Sequence, residues 1–145
     1  MSESIPKRLR QDVTRRARHR CEYCLSPLAF ATEPFAVEHI VPVVRGGSTA
    51  RENLALSCSG CNGHKYNKVE VPDPLNLNRV PLYHPRQDRW RDHFTWDEEY
   101  IRLIGLSPIG RATIDALNLN RVGVVNLRWA LFLLGLHPPE DMDTD

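Results

Sequence analysis

Glu38 and His39 stand side by side in an apolar stretch, and three more polar side chains follow them: Asn53, Asn62 and Lys65. Phosphodiester hydrolysis asks for groups of these kinds. A water must lose a proton, and the charge that develops on the phosphate and the leaving oxygen must be neutralised. An imidazole takes a proton near neutral pH, which suits His39 to a general base. The oxygens of Glu38 and Asn62 suit a hard cation, magnesium or manganese, that completes its shell with waters and phosphate oxygens. Asn53 can fix a loop by hydrogen bonds to nearby backbone. Lys65, one helical turn after Asn62, can meet a phosphate, and so can Arg45 beside the Gly46-Gly47 turn. One geometric difficulty stands. Neighbours on a strand point to opposite faces, so Glu38 and His39 share a site only where the strand bends or the ion lies at its edge.

All four cysteines fall in two Cys-x-x-Cys pairs, Cys21/Cys24 and Cys58/Cys61, with 33 residues between them. Two-residue spacers let each pair chelate from one turn, and four thiolates around zinc leave no position open to water. The zinc expected here is therefore structural. A redox dithiol is the other reading of such pairs.

The elements that would position these groups follow from patterning. Leu9, Val13 and Ala17 form one apolar stripe, which predicts a helix over residues 5–20 with Ser4 as its cap and Pro6 in its first turn. Its apolar side is expected against the first Cys pair. Phe35–Val44 reads as a strand that Pro42 interrupts, Asn53–Leu56 as a short second strand, and Asn62 to about Lys68 as a short helix. The prolines at 72, 74, 81 and 85 predict an extended connection. Beyond it come a short helix in 86–93 anchored by Trp90, a hairpin around the acidic turn Asp97-Glu98-Glu99, and two helices. The first helix starts at a Ser107-Pro108 cap; the second, about 122–134, carries Val125, Trp129, Phe132 and Leu133, and Gly135 ends it. Trp90, Trp96 and Trp129 read as packing anchors.

The order Cys-x-x-Cys, Glu-His-Ile-x-Pro, Gly-Gly, Asn-Leu, Cys-x-x-Cys-Asn-x-x-Lys over residues 21–65 resembles the four-cysteine branch of the HNH endonucleases, the ββα-metal nucleases. The resemblance implies an α+β fold: a ββα-metal core with a structural zinc knuckle, an N-terminal helix, and a small hairpin-plus-helices extension. It implies that His39 is the general base, that Glu38 and Asn62 hold the catalytic divalent ion, and that Asn53 is the middle residue of the motif. Glu38 stands where Asp is commoner, and Asn62 where His is common; His64 is a rival ligand. The implied activity is metal-dependent hydrolysis of nucleic acid, DNA first, leaving 5′-phosphate and 3′-hydroxyl ends. One site cuts one strand, so a double-strand break calls for a homodimer or two encounters. The alternative is a zinc-knuckle module that binds nucleic acid without cutting it.

The whole chain fits these expectations. Its 145 residues suit a nuclease core over 1–68, an extension over 69–137 packed on it, and a disordered acidic tail over 138–145. The net charge of +1 hides an asymmetry: residues 1–68 hold 11 Lys and Arg against 6 Asp and Glu, and residues 69–145 hold 8 against 12. Seven of the basic residues lie in the first twenty, the footprint of a polyanion partner, and Arg15, Arg16 and Arg18 are expected on phosphate. A solvated helix face is the other reading of such a charge run. The longest apolar run, 129–136, is too short to span a bilayer, and the basic N-terminus does not resemble a secretory signal, so a cytoplasmic protein is expected.

Overall fold

The computed structural model describes residues 4–142. The chain divides into two compact units, Met1–Val69 and Glu70–Asp145.

In the first unit, α1 covers Lys7–Arg16, shorter at both ends than its apolar stripe suggests. Pro6, not Ser4, occupies the N-cap position, and no side chain caps the helix. At the other end Arg18 and His19 take left-handed backbone conformations, which turn the chain into the first Cys pair. The stripe is real but points elsewhere than expected. Ile5, Val13 and Ala17 pack with Val37, Leu54 and Leu56 of a hairpin, with Leu9 and Phe35 at the margin. Burial of each large apolar side chain is worth about 1.5–3 kcal/mol, so this contact fixes the helix on the sheet.

That hairpin pairs β1 (Ala36–His39) with β2 (Leu54–Ser57), antiparallel, with Glu38 opposite Ala55 and His39 opposite Leu54. The expected strand to Val44 stops at His39. From there the chain enters a loop containing a single-turn helix at Val43–Arg45. Gly46 closes that turn at φ 90°, and a side chain on Gly47 would collide with the Val41 carbonyl. Helix α2 (Ser59–Lys65) starts inside the second Cys pair, three residues before Asn62. Its N-cap is Cys58, whose Sγ accepts from Cys61 N–H at 3.4 Å. Two strands followed by a helix thus frame the motif.

The second unit opens on a hairpin, β3 (Glu70–Pro72) and β4 (Arg79–Pro81), where prolines suggested an extended connection. In a two-stranded sheet both strands are edges, and an edge tolerates proline. Asp73 holds the turn by accepting from Leu75 N–H, and Arg111 grips its carboxylate at 2.8 Å and keeps it below the usual carboxylate range. A short α3 (Trp90–His93) leads into β5 (Phe94–Trp96) and β6 (Leu103–Gly105), which flank the acidic turn. Ser107 caps α4 (Pro108–Leu117) by accepting from Gly110 N–H at 3.0 Å. Helix α5 (Val122–Leu133) buries Val124, Arg128 and Leu131, so the face that carries Trp129 and Leu133 is exposed. Trp129 is no anchor. Arg128 is held by the carbonyls of Ile101 and Leu119 and lies over the Trp96 ring. No helix among the described residues is long and apolar enough to cross a membrane. Of the tail expected to be disordered, residues 143–145 lie outside the described residues, and 138–142 carry no helix or strand.

Candidate metal knuckle and catalytic face

The four cysteine Sγ atoms lie within 4.8 Å of one another. A zinc ion at about 2.3 Å from four thiolates sets its ligands about 3.8 Å apart, and Cys24 and Cys58 are 3.6 Å apart. Backbone bonds shape each half. Cys21 N–H donates to Ser26, Leu25 N–H returns to Cys21, and Leu25 takes a left-handed conformation. Glu22 then ties the first turn to β2, donating to and accepting from the Leu56 backbone. Hydrogen bonds from Cys21, Cys24 and Cys61 drive the Cys58 thiol far down, while Cys24 falls to about 7 beside Cys21. Burial pushes Cys21 well up. A cation among the four would reverse that cost. The set therefore fits zinc, which would cross-link the β1–β2 hairpin's flanks and hold no reacting water.

The loop between β1 and β2 is fastened by Asn53. Its Oδ1 accepts from Val41 N–H at 2.8 Å, and its Nδ2 donates to the carbonyls of Val41 and Ser48 at 3.0 and 2.8 Å. An amide has one acceptor end and one donor end, and each meets its complement here. Ile40 N–H adds a bond to the Asn53 carbonyl. The His39 ring, half-buried at the end of β1, meets this loop: its Nε2 lies 2.9 Å from Thr49 Oγ1. Thr49 has no signature in the sequence; only the folded loop brings it to the ring.

Glu38 faces the other way, as strand alternation demands. It is buried, its Oε1 accepts from Tyr23 Oη at 2.6 Å, and its Oε2 lies 3.3 Å from Lys65 Nζ. Lys65 is 1 % exposed and also donates to the carbonyls of His39 and Ile40. Its three protons are accounted for, so the expected contact with phosphate is replaced by an internal clamp that binds α2 to the end of β1. Burial pushes the Glu38 carboxyl up, and Lys65 and Tyr23 work against that rise. This geometry sets Glu38 against the metal role that the resemblance implies. Both oxygens have partners, and an ammonium already occupies the cation position. Glu38 as folded does not fit a divalent ion. Asn62 itself is half-buried within α2, and His64 is exposed. Among the described residues the four cysteines form the one group of three or more His, Cys, Asp or Glu with metal-ligand spacing. Tyr23, the third member of the clamp, lies hidden between the two cysteines of the first pair.

The clamp carries a quantitative expectation. Lys65→Met leaves Glu38 buried without its counter-charge and should cost about 3–5 kcal/mol in denaturant unfolding. The carboxyl would then hold its proton to a higher pH folded than unfolded. Native protein binds more protons in that window, so the variant should lose stability as pH rises from about 5 to 7. The double variant Glu38→Gln/Lys65→Met should regain much of the loss. A single variant as stable as the parent at both pH values would contradict the clamp.

The arginines divide. Arg16 donates to the carbonyls of Arg51 and Leu54 at 3.0 and 2.7 Å, so it serves as a tie from helix to hairpin. Burial lowers its pKa. Arg15 is exposed with a loose ion pair to Asp12 at 3.5 Å, and Arg18 is exposed. Arg45 is exposed, its Nε donating to the Asn67 carbonyl at 2.6 Å.

No curated protein and no solved structure matches the chain. Residues 21–68, about a third of its length, match the family model of the HNH endonucleases, and it is this segment, with both Cys pairs, His39 and Asn53 inside it, that is similar to that family.

Proposed function

We propose that the first unit hydrolyses phosphodiester bonds of nucleic acid, DNA before RNA, with His39 as the general base. The observation that carries this reading is the seating of the His39 ring: half-buried, at a strand end, against a loop that Asn53 fastens. In the tautomer with the proton on Nε2, that nitrogen donates to Thr49 Oγ1 and the lone pair on Nδ1 takes a proton from water as it attacks phosphorus. The exposed cations Arg15, Arg18 and Arg45 draw the phosphate chain to this unit. Magnesium or manganese belongs to the reading as an ion that would come with phosphate oxygens and offset their charge, with Asn62 as its candidate ligand and Glu38 left to Lys65. Zinc in the four-cysteine site holds the fold.

Binding without cleavage is the second reading. One observation favours it: Glu38 and Lys65, two of the expected site residues, are spent on each other. A plasmid-nicking assay with magnesium present separates the two. Nicked circles that accumulate with time and vanish in chelator support hydrolysis. Retarded plasmid that stays uncut over hours supports the binding module.

A further inference from the structure

We propose that Tyr66, with Arg45 and Lys68 beside it, is a stacking site for an unpaired base, so that the unit prefers single-stranded or locally unpaired nucleic acid to intact duplex. This rests on the reading of nucleic acid as the substrate and narrows it. Tyr66 follows the last residue of α2 and is 75 % exposed, a large ring in water with no core to join. Its backbone sits at φ 50°, ψ −115°, outside the conformations that an aromatic residue ordinarily adopts. Such strain collects at binding and catalytic positions, and here it presents a ring at the end of the helix that carries Asn62.

Two cations are anchored to the backbone within two residues of Tyr66. The Arg45 Nε bond to the Asn67 carbonyl joins the Val43–Arg45 turn to the segment after α2. Lys68 is exposed and turns back to the His64 carbonyl at 2.8 Å. The two segments that meet here contain no acidic residue, from His39 to Arg51 and from Cys58 to Val69. The same loop carries Thr49, the partner of His39. An exposed aromatic ring with a guanidinium and an ammonium anchored within two residues of it in the chain matches one ligand chemistry: a base for the ring and flanking phosphates for the cations. In a duplex both faces of each base are already stacked, so the ring gains a partner only where the strand is open.

The test uses the full chain with His39→Ala, so that binding is read without cleavage. Fluorescence anisotropy compares a labelled single-stranded oligonucleotide with its duplex. Tyr66→Ala should weaken single-strand binding by about ten- to a hundredfold and duplex binding less than about threefold, while Tyr66→Phe keeps the parent affinity. Equal affinity of parent and Tyr66→Ala for the single strand overturns the proposal, as does an equal loss on both substrates. Failure of the parent to bind any nucleic acid overturns instead the functional reading beneath it.

Discussion

Alanine at position 39 should lower phosphodiester cleavage by about 10²–10⁴-fold, the usual contribution of a positioned general base. Fold and affinity should hardly change. The ring is half-buried, its one described side-chain partner is Thr49 on a loop, and the core beneath is built from Val37, Leu54 and Leu56 on the neighbouring positions of the hairpin. Asn53 fastens that loop through Val41 and Ser48, without the imidazole. Single-turnover cleavage, a thermal melt and oligonucleotide affinity measured on one preparation separate these effects. Thr49→Val, which removes the hydrogen-bond partner of Nε2, should reduce the rate less than His39→Ala does, because the ring is then no longer held on the loop. Parent-like cleavage by the alanine variant would remove His39 from the mechanism and leave the unit a binder.

What was legible in the chain tracks the range over which its physics acts. Ser107-Pro108 read correctly as a helix start because a cap is settled within four residues, and the oxygen does accept from Gly110 N–H. The acidic turn before Tyr100 read as a hairpin for the same reason. The two Cys pairs read as one cluster because ligand spacing is local and metal geometry does the rest. Helix α1 was overextended, since its apolar period runs on to a buried Ala17 while Arg18 and His19, neither of them glycine, turn the chain left-handed. Prolines hid the β3–β4 hairpin. In α5 apolar residues lie all round, so periodicity could not tell that Arg128 is inside and Trp129 outside. The site divided likewise. His39 and Asn53 could be found from the motif, but Glu38 meets Tyr23 and Lys65 only through packing, across 15 and 27 residues of sequence. Types and spacing suggested a metal ligand and a phosphate contact; the fold made a buried ion pair of them.

Loss of the zinc site should have the largest effect on folding, and Cys58→Ser isolates it. Cys58 serves the chain twice, as a candidate ligand and as the N-cap of α2. Serine is among the best N-cap residues, so the substitution keeps the cap and removes only the thiolate. Structural zinc contributes about 10–16 kcal/mol of apparent binding energy in small zinc-dependent folds, which far exceeds the about 1 kcal/mol of a cap. The first unit has few other means of support: two four-residue strands, a seven-residue helix and the contact with α1. The parent should carry one zinc per chain by elemental analysis, and Cys58→Ser close to none. The variant's first unit should then lose protection from amide exchange across β1, β2 and α2. Cys58→Ala, which removes cap and ligand together, should be little worse, because the metal dominates. A zinc-free Cys58→Ser protein whose β1–β2 amides stay protected would show that α1 packed on Val37, Leu54 and Leu56 suffices to hold the hairpin, and that the four thiols are held by the fold instead of holding it.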